Sequence, residues 1–521
     1  MRHRPLSTAL ALVVATLATA LAAPPSTAAP AGTTVVASAP AAPAADPGPA
    51  AGGAESGTTV LVRATDALGG GGATRADRPD ATLALRDLFL ARARLGEVGD
   101  RFAGGLLARP TDGDRDPYAD GYSARQRQRC GAKVCVHWVN RTEDRASRAW
   151  VDTTLRVMGK VWKHHVRTLG YRPPAPDGRR GGNALFDVYL KDLGSKGVYG
   201  YCAPERKVPG ESKQASGFCV LDNDFAREQF GRRPLETLRV TAAHEFFHAI
   251  QFAHDFGEDP WLMESTATWI EGRFAARVDD NRIYLPYGQL GRPGTSLDLY
   301  EPSGYAHYGN WTFWEFLADR LGPDVVRDVW WRAGTGGRMP DDYSTQALRR
   351  VLAEHGGLRR RFAAYAAGNT MPARTYPEGS AYAAAPVTTR RVTASRPRVR
   401  LAPRIDHLSS RSVVLRPGRS LARRWRLEVR IDGPDAVRSP AALVTVRRAD
   451  GSVQRRQVRL DRTGAGRVRV AFGRRAVRTV TVTLANASTR VLCDTGTSLA
   501  CQGSPLDDRV RFRTTAVAVR R

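Results

Sequence analysis

Cysteine is scarce in this chain: six residues in 521, with no Cys-x-x-Cys pair. That excludes a disulfide-built scaffold, a Cys-rich zinc finger and a thioredoxin-type redox site. After the first 28 residues no run reaches about 18 apolar residues, so no segment reads as a transmembrane helix. No repeat of about 20–50 residues recurs, which excludes solenoids and propellers. Lysine is absent from 381 to 521, where 31 Arg face 9 Asp and Glu. The formal net charge of +28 therefore sits mostly on the C-terminal quarter, and no specific nucleic-acid partner is expected. With 42% hydrophobic and 25% charged residues, the composition is that of a globular protein and excludes wholesale disorder.

What is present first is an export signal. Arg2, His3 and Arg4 precede an apolar run over 8–21. Ala20-Leu21-Ala22 or Ser26-Thr27-Ala28 then offers a small-residue cleavage site. The chain is expected to be secreted, and its cysteines to pair in oxidising surroundings. Sequence neighbours give the most economical pairing: Cys130 with Cys135, Cys202 with Cys219, and Cys493 with Cys501.

The expected order is a signal peptide over 1–28, then a low-complexity linker or pro-segment over 29–79. The latter is rich in Ala, Pro, Gly, Ser and Thr and has nothing to build a core. Over 80–116 Leu83, Leu85, Leu88, Phe89, Leu95, Phe102 and Leu106 recur at roughly helical spacing, giving a helical pro-segment or a plain N-terminal helix on the core. It holds no Cys, so a thiol cannot be what blocks a metal there. Over 117–385 strands are expected at 134–139, 186–190, 198–202 and 217–221. Helices are expected at 148–169, 235–254, 262–277, 308–321, 323–331 and 342–355. Strands first and helices after predict an α+β domain. From 386 to 521 Arg and Val alternate, and Asp450-Gly451 sits between two such runs as a hairpin turn. This predicts an all-β, sandwich-like C-terminal domain.

The chemistry concentrates at His244-Glu245-Phe246-Phe247-His248, an HExxH. On a helix the two His lie four apart and leave one face. Paired imidazoles suit Zn²⁺, and Glu245, beside the first, can reach a metal-activated water. The surrounding Ala, Phe and Ile mark a buried helix, where two His and a Glu are costly unless paired or metal-bound. The plainer alternative is a core helix whose His are satisfied by hydrogen bonds. A third ligand is required, and three residues compete. His254 has metzincin spacing, but Gln251 stands where that pattern has the glycine that turns the chain back. Glu264 and Glu271 lie on the next helix, seven apart on one face. Residues 255–260 read as the reversal between the helices, so the first turn of the second should face the metal. That favours Glu264, leaving Glu271 as a partner for a ligand His or an Arg.

HEFFHAIQF followed by WLMESTATWIE resembles the gluzincins, the zinc peptidases with HExxH and a downstream Glu ligand. Residues 261–264 look like the Trp-Leu-Asn-Glu-Gly stretch of their aminopeptidase N-like members. From about 134 to 332 the chain is also similar to a family of secreted bacterial metalloproteases of undefined substrate, through VHW, FDVYL, YGYC, VLDND and the two helices. The resemblance implies a zincin-like fold, Zn²⁺ and peptide-bond hydrolysis. It implies ligand duty for His244, His248 and Glu264 and base duty for Glu245. It also implies an oxyanion donor at Tyr308, with Tyr305 and His307 as neighbouring rivals.

The function expected is therefore a secreted zinc metallopeptidase acting on peptide or protein substrates. A zinc amidase acting on cell-wall peptides and an inactive zincin-like surface-binding module are the alternatives. The strand at 217–221 is a candidate edge for an extended peptide. The Arg-rich C-terminal domain could meet an anionic cell-envelope surface, or its Arg could simply be the solvated faces of strands.

Overall fold

A computed structural model describes residues 55–69, 80–112, 121–334, 342–422 and 424–520. The expected signal peptide and most of the expected linker lie outside the described residues. Part of that linker region is helix, contrary to expectation. Gly57–Ala67 forms α1, capped by the Ser56 hydroxyl, and it buries Val60, Ala64 and Ala67. Three small apolar residues at helical spacing suffice because a neighbouring surface completes their core. That surface includes Ala81–Ala91 (α2) and Glu97–Leu106 (α3).

The chain from 121 to 385 is α+β. Its five-stranded sheet comprises Arg127–Cys130 (β1), Val134–Trp138 (β2), Phe186–Lys191 (β3), Gly200–Lys207 (β4) and Ala215–Asp222 (β5). The order is β1-β2-β3-β5-β4. β2, β3 and β5 run parallel, and β1 and β4 are antiparallel to their neighbours. Both faces of the sheet are covered, so β5 is buried at every residue. Side chains alternate between two cores. Cys219 and Leu221 face the helical core, whereas Phe218 and Val220, with Tyr189 and Tyr201, pack under α1–α3. β5 is hydrogen-bonded on both sides, so it cannot be the edge proposed for 217–221. The outermost strand beside it is β4, which begins at Gly200, two residues later than expected, after Gly197 turns the chain with φ 70°.

Arg148–Trp162 (α4), Pro234–Asp255 (α5) and Pro260–Phe274 (α6) follow. The helix expected to reach 169 passes into a wider turn at Lys163–Thr168, and Gly170 ends it with φ 71°. α5 is buried along almost its whole length, with His244, Glu245, His248, Gln251 and His254 among its buried residues. The helix expected at 308–321 is broken. Ala306–Gly309 is one turn, and Trp311–Leu321 (α7) starts afresh. Asn310 makes the break: it is buried, accepting from Gln289 N (2.9 Å) and donating to Leu297 O (2.9 Å). Leu358–Asn369, which the periodicity did not predict, is a helix that buries Phe362, Ala363, Tyr365 and Ala366.

The C-terminal region is two packed antiparallel-rich sheets. One runs in the order Ala465–Ala471, Trp425–Asp432, Arg513–Arg520, Arg398–Leu401. The other is centred on Pro440–Arg448 and Val477–Asn486. The Asp450-Gly451 turn joins Pro440–Arg448 to Val453–Gln457, with Gly451 at φ 86°. Leu427, Val429, Val444 and Val482 fill the inner faces, and the alternating Arg467 and Arg469 are exposed. All six cysteines pair as the neighbour rule predicts. Among the described residues no helix is long and apolar enough to cross a membrane.

Candidate metal centre

α5 places His244 and His248 one turn apart on the face towards α6, with ring centroids 4.8 Å apart. α6 returns along α5 because 256–259 form a tight turn and Pro260 opens the helix at its first position, where its missing N–H costs nothing. The turn is pinned by its own carboxylates. Glu258 accepts from the N–H of Asp259 (2.6 Å) and of Ser344 (3.0 Å), and Asp259 accepts from Cys501 N (2.8 Å) and the Ser344 hydroxyl. Burial pushes Asp259 up to about 7.

Glu264 consequently lands between the two imidazoles. Its carboxylate oxygens lie 3.3 Å from His244 Nε2 and 3.4 Å from His248 Nε2. Ligands at about 2.0–2.1 Å on a tetrahedral ion are separated by roughly 3.3–3.4 Å. His248 Nε2 and both Glu264 oxygens are buried without any hydrogen-bond partner. Buried polar atoms are normally satisfied, so three such atoms converging on one point form a site suited to a cation. The donor set of two imidazoles and a carboxylate fits a metal ion. His244, His248 and Glu264 can hold one. A second grouping, Cys135, His137 and Asp187, does not fit, because Cys135 is in a disulfide and His137 and Asp187 are bonded to each other at 2.8 Å.

The outward ring nitrogens are held as well. His244 Nδ1 donates to Glu271 Oε1 at 2.6 Å, and His248 Nδ1 donates to Gln251 Oε1 at 2.7 Å. Gln251 is in turn fixed through its amide, which donates to Met263 O (2.9 Å) and Thr266 Oγ1 (3.2 Å). These bonds leave Nε2 of both rings aimed at Glu264. Without a metal the environment splits the two imidazoles. Burial opposes charge on His244, but Glu264 and Glu271 outweigh it and raise that ring well above its ordinary value. Burial pushes His248 down to about 4. Burial also lifts Glu271 to about 7, against its bond from His244.

His254 lies elsewhere. It continues α5 beyond the site and packs against Trp330, Trp331 and Tyr171, with burial pushing it down to about 3. Glu245 lines a cavity of about 570 Å³ together with His244, Glu271, Tyr305 and Tyr308. Burial pushes its carboxyl up to about 8. The Tyr308 ring lies 6.3 Å from that of His244, and its hydroxyl donates to Asp80 Oδ2 at 3.1 Å. Tyr305 packs on Tyr284 and Tyr287, and His307 is buried against Tyr300 and Tyr308.

In the sequence Gln251 reads only as the residue that replaces a metzincin glycine. Its place three residues after His248, on the same helical face, was the available signal for its role as a ring partner. Asp80 and Thr82, which also reach the site, carried no local signal, since their proximity comes only from tertiary packing.

Neither the known family models nor the curated proteins contain a match to this chain. Among solved structures, a periplasmic inhibitor of g-type lysozyme from Aeromonas hydrophila, PliG, matches at 13% identity. It covers 26% of this chain and 97% of its own, with a TM-score of 0.16. A likeness of that size carries no argument about the function of this chain.

Proposed function

We propose that this protein is a secreted, zinc-dependent peptidase of gluzincin type. The observation that carries the reading is the convergence of His244 Nε2, His248 Nε2 and the unpartnered Glu264 carboxylate on one buried point. Zinc suits two neutral imidazoles and one carboxylate with a fourth position open, and when bound it supplies Lewis acidity to a water and to the scissile carbonyl. The rest of the chemistry belongs to the chain. Glu245 sits one residue from a ligand and borders the cavity, so it takes the proton of the attacking water and delivers it to the leaving amine. A carboxyl whose affinity for protons is raised by burial is suited to that shuttle. Tyr308 lends its hydroxyl to the developing oxyanion. The edge of β4 pairs with an extended peptide through main-chain hydrogen bonds. The paired cysteines support an oxidising compartment, in keeping with the export signal.

The test is metal analysis of the purified protein, with a peptide-library digest before and after chelation. Glu245→Gln should keep zinc and lose about 10²–10⁴ in rate. A Glu245→Gln protein of near-normal activity refutes the mechanism. Casein left intact while wall peptides are released points to the amidase alternative.

A further inference from the structure

We propose that the first turn of α2 is an intrachain inhibitor seated where the scissile peptide and its water would lie. The proposal rests on the peptidase reading above. Three groups must be free for that reaction: the Glu245 carboxylate, the Tyr308 hydroxyl and the main-chain edge of β4. Residues 80–82 engage all three. The Thr82 hydroxyl donates to Glu245 Oε2 at 2.9 Å and accepts from Cys202 N, on the β4 edge, at 2.9 Å. Asp80 Oδ2 accepts from the Tyr308 hydroxyl at 3.1 Å, while Asp80 Oδ1 caps α2 by accepting from Leu83 N at 2.8 Å.

The chemistry of these contacts is that of a reacting peptide. A hydroxyl donates to the base, as the attacking water would. An anionic oxygen accepts from the tyrosine, as the oxyanion would. Ordinary packing of an N-terminal helix asks for neither. Thr82 is 1% exposed and Glu245 6%, and Asp80 and Ala81 form part of the wall of the cavity that Glu245 and Tyr308 line, so a substrate reaching those two groups would meet this turn.

The turn is held there from its C-terminal side. The Arg86 guanidinium, itself 3% exposed, donates to Glu258 O at 2.6 Å, and Phe89 packs edge-on against Phe256. Leu85 and Leu88 lie in the core shared with Tyr189, Phe218 and Val220. Most of the segment is thus anchored to the sheet and to the α5–α6 reversal, and the latch is the short stretch from Asp80 to Thr82.

The test uses the full chain. Thr82→Val removes the hydroxyl at nearly constant shape, Thr82→Ser restores it, and Asp80→Ala combined with Thr82→Val removes both contacts. Thermal melts check folding, and the Ser and Val variants keep the test usable if loss of the cap harms the double variant. Wild type and Thr82→Ser should be nearly latent. The Val and double variants should gain about tenfold or more in kcat/KM, the gain expected when the competent fraction rises from roughly a tenth or less. A readout independent of turnover is amide exchange at Cys202, which should speed up in the Val variant and not in the Ser variant. A second is affinity for an uncleaved library peptide in the Glu245→Gln background, which should tighten by a similar factor in the double variant. Wild type as active as the variants, with unchanged Cys202 exchange, overturns the latch and leaves the peptidase reading standing. Zinc-loaded variants that neither turn over nor bind peptide, in any background, overturn the peptidase reading and the latch with it.

Discussion

Gln251→Leu should weaken metal binding without unfolding the protein. Gln251 is fully buried and holds the Nδ1–H of His248 at 2.7 Å, so that the lone pair of the ring lies on Nε2, facing Glu264. Leucine fills nearly the same volume but accepts nothing. In the metal-free variant the imidazole can move its proton to Nε2 and donate to Glu264 Oε1, now 3.4 Å away. Metal binding must then reverse that tautomer and leave Nδ1–H buried and unsatisfied. An unsatisfied buried donor costs about 1–3 kcal/mol, which is roughly a 5–150-fold loss of affinity. Removal of an outer partner of a ligating His typically costs about 10–100-fold, so two routes to the magnitude agree. Competition against a chromophoric zinc chelator measures it, and a melt of the metal-free variant checks the fold. A zinc Kd within about twofold of wild type would refute the reasoning, because the His248 ring would then be oriented by something other than Gln251.

Two further predictions concern what holds the site's scaffold. Arg109 is 2% exposed and bonds to Asp177 (2.8 Å), Asp187 (2.7 Å) and Glu205, so Arg109→Met strands buried carboxylates and should cost about 3–5 kcal/mol in urea unfolding; a loss below about 1 kcal/mol contradicts that account. Cys202 and Cys219 face each other across β4 and β5, 17 residues apart, and replacing both with Ala should cost about 3 kcal/mol while leaving zinc binding intact, as read by the shift in urea midpoint and by metal content.

How far the sequence alone could reach follows from the range of the interactions involved. The HExxH pair is a local pattern on one helix, and helical periodicity carries it directly. Glu264 needed one tertiary step, a chain reversal, which reads from the sequence at 255–260 and lies at 256–259, with Pro260 already the first residue of the returning helix. The edge strand was not readable. The sequences of β4 and β5 both suit a buried strand, and only the crossover order β3-β5-β4 decides which one lies outside. α1 was missed for a related reason. Val60 and two Ala give too little apolar surface to predict a helix alone, and the face they pack on belongs to α2 and α3. Arg109 gave no local sign either, since its three carboxylate partners are spread from 177 to 205.

The N-terminal helices play two structural parts at once. Arg86 bonds to the carbonyl of Glu258, in the turn that aims α6 so that Glu264 falls between the imidazoles. Six residues earlier in the same helical segment, Asp80 occupies the hydroxyl of Tyr308. The segment proposed as the latch therefore also braces the turn that positions Glu264. Cutting it away would remove the block and the brace together, and would bare Tyr189, Phe218 and Val220 on the sheet beneath. Exposed aromatic surface of that kind destabilises a domain and favours association. An inactive truncated protein would thus say nothing about latency, since a displaced Glu264 produces the same result. Point substitutions at Asp80 and Thr82 separate the two parts, because they release Glu245 and Tyr308 while Arg86 keeps its grip on the turn.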